Sequence, residues 1–148
     1  MLRPVRDDDL PVFFEHQRDA GASEIAAVAM RDRGAFDGHW ARARADPAIV
    51  LRTIEIDGAV AGNILSFLLD GRRVVGYWLG REFWGRGIAT DALREFLAGV
   101  VTERPLAAVA TSENLGSQRV LEKCGFERAA EHPPGPDGVR EVEFLLRR

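Results

Sequence analysis

Cysteine is nearly absent from this chain: Cys124 stands alone, so neither an internal disulfide nor a cysteine metal cluster can form. Lysine is as scarce, with Lys123 set against 19 arginines, a bias that accompanies abundant alanine and glycine and carries no functional reading. No apolar run approaches the roughly 18 residues of a membrane span. The opening "MLRPVRDDDLPVFF" turns acidic where a signal peptide needs its apolar centre. Positive charge is not in excess either: the formal net charge is -3 and the sequence pI about 5.6, which leaves no field to hold a polyanion. These absences argue against nucleic acid, a membrane or a bound metal, and lead one to expect a soluble cytoplasmic protein. What is present, 148 residues of which 46% are hydrophobic and 29% charged, suits one domain spanning residues 1–148 with one core.

Residues Leu2 to Val5 read as a short strand, and "RDDD" supplies N-cap candidates for a helix over about Leu10 to Arg18, with Pro11 in its first turn. The stretch from Gly21 to Gly34 is open between helix and loop. Phe36 and Trp40 are spaced as on one helical face, and Pro47 stops that helix. Asp57-Gly58 and Asp70-Gly71 separate three apolar, β-branched runs, the pattern of consecutive antiparallel strands. The period then changes. Ile88, Ala92, Leu93, Phe96, Leu97 and Val100 recur at helical spacing, "LAAVA" at 106–110 is a buried type of strand, and "SQRVLEKCGF" is a helix stopped at Gly125. Phe126 to His132 and Val139 to Leu146 form a last hairpin, whose second strand either closes the sheet or pairs across a homodimer. The expected fold is α/β in the α+β sense, a mixed and mostly antiparallel central sheet flanked by helices.

"REFWGRGIAT", residues 81 to 90, places Gly85 and Gly87 directly before a helix. A strand, a tight glycine loop and a helix N-terminus together present unpaired backbone N–H groups to an anion, and glycine removes the Cβ atoms that would hold a phosphate away. An ordinary glycine turn explains the same residues. A nucleoside triphosphatase loop would end in Gly-Lys-Ser/Thr, which is missing. A dinucleotide fingerprint would want a small residue where Thr90 stands and would open a parallel sheet, whereas this loop follows three antiparallel strands.

"YWLGREFWGRGIATDAL" followed by "ATSENLGSQRVLEKCGFE" resembles the acetyl-coenzyme A site of the GNAT superfamily of N-acetyltransferases, in the branch that includes the ribosomal-protein N-terminal acetyltransferases. The family's loop motif falls on Trp84, Gly87 and Ala89; tryptophan departs from the general pattern and is usual in that branch. The resemblance covers Val50 to Phe126 closely and the N-terminus loosely. It implies that the amides of Gly85, Arg86, Gly87 and Ala89, with the Thr90 hydroxyl, hold the coenzyme pyrophosphate. It further implies that Trp78 and Leu79 pair with the pantetheine arm through their backbones, that the Leu79 N–H polarises the acetyl carbonyl, and that Asn114 hydrogen-bonds the pantetheine amide. The acceptor implied is a peptide or small-molecule amine.

Many members carry a tyrosine near the departing sulfur where this chain has Leu121, and in the branch resembled Ser117 is the substitute. A serine hydroxyl is far too weak an acid to be ionised, so Ser117 suits the role of hydrogen-bond donor to the sulfur. A helix N-cap explains the same serine without catalysis. Glu113, Glu55, His39 and His16 are candidates for receiving the amine's proton, none of them marked by a motif. Cys124, beside the Gly125-Phe126 turn, reads as a small buried residue, which favours direct transfer over a covalent route. The competing reading is a sensor or regulatory module that keeps the coenzyme cradle and no longer catalyses.

Overall fold

The two Asp-Gly dipeptides set the middle of the chain. Asp57 and Gly58 have φ of 51° and 81°, Asp70 and Gly71 have 52° and 77°, the paired positive values of the two-residue hairpin turn whose twist matches the strands it joins. They connect β2 (Val50–Ile56), β3 (Ala59–Leu69) and β4 (Arg72–Leu79) as an antiparallel meander. A computed structural model describes residues 1–19, 32–136 and 138–148. The undecided run "ASEIAAVAM" lies outside them.

β5 (Leu106–Thr111) joins β4 in parallel, and β7 (Glu141–Leu146) lies between β5 and β6 (Glu127–Glu131), antiparallel to both. β1 (Leu2–Arg3) pairs with β2 at the other edge, giving a seven-stranded sheet in the order β1-β2-β3-β4-β5-β7-β6. β7 is therefore flanked on both sides. Of the two fates open to this strand it closes the sheet, and it offers no free edge for pairing across a dimer. Both hairpin strands are shorter than the segments Phe126 to His132 and Val139 to Leu146 in which they lie.

Four α-helices are described: α1 (Leu10–Gln17), α2 (Arg33–Ala45), α3 (Ile88–Gly99) and α4 (Leu115–Lys123). Pro11 stands in the first turn of α1, but the acidic run before it provides no side-chain cap. Asp9 is 2% exposed, and a carboxylate so buried needs partners. It takes two bonds of 2.8 Å from Arg3, one of 2.8 Å from the Arg6 amide and one of 2.7 Å from the Thr53 hydroxyl. These partners draw it from the helix end.

Phe36 and Trp40 share the inward face of α2 and pack with Phe13 of α1 over one side of the sheet. On the other side α3 lays Leu93, Phe96 and Leu97 onto Ile54, Ile64, Val75, Leu106 and Phe144. Each such side chain contributes about 1.5–3 kcal/mol on burial, so both faces are firmly held. Gly125, at φ 93°, turns the chain out of α4, where no side chain with a Cβ fits without strain.

Candidate active site

β4 and β5 touch as neighbours at one register pair, Val74 with Ala107, and then part. β4 runs on for five residues to Leu79, so the opening is about 16 Å long at 3.3 Å per residue. A parallel pair that separates leaves backbone groups of both strands without partners in the middle of a sheet, where buried polar groups are costly. The opening is thus a slot for an extended chain that can supply them.

Leu79 stands at its deep end. Leu79 is opposite Gly62 in β3, and the next amide, of Gly80, donates to the Ala61 carbonyl at 2.9 Å. That bond makes Leu79 and Gly62 a non-hydrogen-bonded pair, so Leu79 turns its N–H and C=O away from β3. Its carbonyl accepts from Trp84 Nε1 at 3.1 Å, which ties the glycine loop to the end of β4. Its N–H faces the opening.

Trp78 has the opposite phase. Its carbonyl presses on Gly62, where a Cβ would collide with it. Trp78 therefore spends its backbone on β3, and the expectation that it pairs with an extended ligand beside Leu79 is corrected by this alternation. The Trp78 indole, on the α1 side of the sheet, holds a buried Nε1 with no partner among the described residues.

The glycine loop follows. Gly85 and Gly87 have φ of 72° and 76°, and a Cβ on either would meet nothing within 4 Å. The space is open, which is what a bound anion requires. Gly87 is the N-cap of α3 and has no side chain to satisfy the helix end. Among the described residues, the amides of Gly85, Arg86, Gly87, Ala89 and Thr90 donate to no other backbone group. Five free N–H groups at the positive end of a helix dipole form an anion cradle. Arg86 adds its charge from a position over the Phe83 ring, 5.6 Å from the centroid. Thr90 is 7% exposed, so its hydroxyl sits on a nearly buried side chain.

Asn114 and Ser117 exchange the roles that their sequence left open. Asn114 is the N-cap of α4: its Oδ1 accepts from the Ser117 amide at 3.2 Å. Its side-chain NH2 has no partner among the described residues and is the donor available to a ligand carbonyl. Ser117 lies three residues inside the helix and caps nothing. Its hydroxyl meets the Tyr77 hydroxyl at 2.9 Å instead.

Tyr77 is the residue that sequence reasoning missed. The resemblance puts a tyrosine on α4, where this chain has Leu121, while β4 brings one to Ser117 from across the sheet. Strand alternation carried the signal, because Tyr77 and Leu79 share a face and that face meets α3 and α4. Burial pushes the phenol up to about 12, against the lowering effect of the Ser117 bond.

The four proton-acceptor candidates separate. Glu55 is held by Arg3 at 2.5 Å and its carboxyl is kept below the usual range by that bond. His39 lines a cavity of about 350 Å³ with Trp40, Leu51, Leu65 and Phe67, at the other end of β3. Glu113 is exposed in the turn before α4. His16, 8% exposed at the end of α1, lies directly on Gly80: a Cβ there would stand 2.6 Å from Nε2. Burial lowers the His16 pKa, opposed by Glu82, and its Nδ1 has no partner among the described residues. Cys124 is half-buried, its thiol pushed up by burial and donating to the Thr90 carbonyl at 3.6 Å. Groups of three or more residues able to hold a metal do not occur among the described residues, and none of their helices is long and apolar enough to cross a membrane.

The model of the acetyltransferase (GNAT) domain matches residues 1–127. Over 93 residues the chain is 32% identical to the "Putative ribosomal N-acetyltransferase YdaF" of Bacillus subtilis, covering 59% of this chain and 51% of that protein. Over 83 residues it is 30% identical to the "Uncharacterized N-acetyltransferase p20" of Bacillus licheniformis, covering 54% and 46%. The aligned segments thus span about half the length of these curated relatives. Among solved structures, spermidine N-acetyltransferase from Vibrio cholerae, in complex with CoA and spermine, superposes with a TM-score of 0.84 at 12% identity, covering 99% of this chain and 94% of that one. The aminoglycoside acetyltransferase AAC(6')-Ib, in complex with coenzyme A, gives 0.80 at 20% identity, covering 100% and 94%. With the family model matched over most of its length and the fold shared throughout, the chain belongs to the GNAT acetyltransferase domain family.

Proposed function

We propose that residues 1–148 act as one N-acetyltransferase domain that moves an acetyl group from acetyl-coenzyme A to a primary amine, a peptide N-terminus or a small-molecule amine, by direct transfer. One observation carries the reading: a strand with a free backbone N–H at the end of a sheet opening, followed directly by a five-amide anion cradle. The residues fit the coenzyme, since the open space over Gly85 and Gly87 suits a pyrophosphate, and the slot between β4 and β5 suits an extended pantetheine arm. The coenzyme supplies the acetyl thioester.

The chain's own groups divide the work. Gly85, Arg86, Gly87, Ala89 and Thr90 bind the pyrophosphate. Leu79 offers its N–H, and Asn114 its side-chain NH2, to the arm; the Leu79 N–H also receives the negative charge that develops on the acetyl oxygen. Ser117 donates to the departing sulfur. On the opposite face His16, kept neutral by burial, takes the proton that the amine must lose. An α-amino group with a pKa of about 8 needs less of this help than a lysine-type amine at about 10.4.

The amines named for relatives, ribosomal, spermidine and aminoglycoside, belong to those proteins. Calorimetry of acetyl-coenzyme A with the parent protein and with Gly87→Trp tests the reading. Binding by the parent and loss in the variant supports the cradle and is followed by an amine screen read by free-thiol release. Binding without turnover of any amine leaves the sensor; a folded parent that does not bind overturns both.

A further inference from the structure

Ser117 is held by three contacts, of which the helix end accounts for only the first. Its amide is capped by Asn114 Oδ1 at 3.2 Å, its hydroxyl lies 2.9 Å from the Tyr77 hydroxyl, and its carbonyl is 3.2 Å from the same phenol. Tyr77 and Ser117 are 40 residues apart in sequence, on β4 and α4. Either hydroxyl could donate, and the direction decides what Ser117 can do. If Ser117 gives its single proton to Tyr77, nothing is left for a ligand.

Three arguments set the direction. A phenol is a far stronger acid than an alkyl hydroxyl and hence the better donor, and the serine oxygen is the better acceptor. The Ser117 carbonyl, in the first turn of α4, also serves the helix amide four residues on, so the phenol proton it accepts at 3.2 Å is the weaker branch of a bond shared with Oγ. The shorter of the two contacts is also the one to Oγ.

We infer that Tyr77 is a positioning residue for the acetyl transfer: its hydroxyl donates to Ser117 Oγ, so that the Ser117 proton turns into the opening between β4 and β5 and meets the sulfur as it departs. This rests on the coenzyme reading above. It replaces a tyrosine on α4 with a pair, a tyrosine from the strand acting through a serine on the helix. As the carbon–sulfur bond breaks, the sulfur leaves with the electron pair and the serine hydrogen bond stabilises that charge. No proton leaves the pair. With the phenol at about 12 and a thiol at about 8.5, transfer to the sulfur is unfavourable by more than three powers of ten. The proton that finally reaches the thiolate is the one the amine gave up, by way of solvent. Each hydroxyl in the chain polarises the next, so the serine bond to sulfur is stronger than a lone serine would make.

The pair should stabilise the thiolate of free coenzyme A as well as that of the reaction. This permits a test without any acceptor. Calorimetry across the titration range of the thiol compares coenzyme A with desulfo-coenzyme A, for the parent, Tyr77→Phe, Ser117→Ala and the double variant. In the parent, the affinity ratio of coenzyme A to its desulfo analogue rises about tenfold as the thiol ionises. Tyr77→Phe cuts that rise to about a third or less, with desulfo-coenzyme A binding unchanged. The double variant matches Ser117→Ala alone. Tyr77 is the chain's only tyrosine, so growth on 3-fluorotyrosine alters this phenol and no other. A more acidic donor should hold or raise the parent's ratio, and it serves if Tyr77→Phe does not fold. Binding with the same pH-dependent ratio in parent and Tyr77→Phe, or losses that add in the double variant, overturns the pair and leaves the coenzyme site standing. Failure of the parent to bind either form removes the site itself.

Discussion

Gly87→Ala separates the strain of the glycine loop from its use. At φ 76° an alanine is strained by about 1–2 kcal/mol, offset in part by about 0.4–1 kcal/mol from a stiffer unfolded chain. No atom lies within 4 Å of the added methyl, so packing adds nothing. The net cost in the free protein is about 1 kcal/mol, a fall in melting temperature of about 2–4 °C for a chain of this length. Binding suffers more. If the loop is the proposed cradle, the methyl stands where the pyrophosphate approaches, and losing one hydrogen bond to a charged group costs about 1.5–3 kcal/mol, or about 10- to 150-fold in affinity. Gly58→Ala is the control, since Gly58 has φ 81°, equally open space and a place in the β2–β3 turn away from the loop. Melting curves and calorimetry with acetyl-coenzyme A are run on both. Equal melting losses with an affinity loss confined to Gly87→Ala are expected. Less than a threefold affinity change in Gly87→Ala, or the same change in Gly58→Ala, refutes the cradle.

The Asp9 cluster predicts an acid-sensitive fold. Burial raises the Asp9 pKa, but the bonds from Arg3, Arg6 and Thr53 outweigh it and hold the carboxyl at about 2, from 3.8. A lowered carboxylate stabilises above its unfolded value, so about 2.5 kcal/mol is present near neutral pH and is lost as the pH falls from about 4 towards 2. Urea unfolding should show Asp9→Asn less stable than the parent by about 2–4 kcal/mol at pH 7, the gap closing below pH 3; a gap that persists there refutes the assignment. Ultraviolet titration should show the single tyrosinate step near 12, where an exposed phenol gives about 10. The lowered His16 pKa places the acid limb of the activity profile below pH 6.5, and His16→Gln should abolish that limb while acetyl-coenzyme A binding stays within about twofold. A limb unchanged in the variant assigns the proton elsewhere.

The parts of the fold that were legible are those written locally. Each Asp-Gly turn contains its own reason for positive φ, and five apolar positions of α3, Ile88, Ala92, Leu93, Phe96 and Leu97, mark the face that packs on the sheet. Asp9, among the N-cap candidates, stands at the N-cap of α1 without capping it through its side chain, because Arg3 and Thr53, on β1 and β2 and invisible to any local pattern, hold its carboxylate. Ser117 is open between cap and donor for a similar reason: Asn114 is the N-cap of α4, and three residues separate a capping side chain from one that reaches across to β4. Trp78 and Leu79 are neighbours in one motif, yet only the pairing register with Gly62 tells which of them gives its backbone to the opening.

That register also explains why one strand can serve a reaction from both sides. Strand alternation sends Tyr77 towards α4 and the Trp78 indole towards α1, while the Leu79 amide lies in the plane of the sheet between them. The end of α1 brings His16 down on Gly80 from the face opposite Ser117. On the proposed reading, a group held at Leu79 is thus approached by its nucleophile from one face and left by its sulfur on the other. Gly80 allows this, since any Cβ there would displace the imidazole. Gly80→Ala should therefore lower turnover at least tenfold and leave coenzyme binding nearly intact, because the cradle and Ser117 lie beyond the reach of the added methyl. Equal losses of binding and turnover would place the amine on the coenzyme's own side of the sheet.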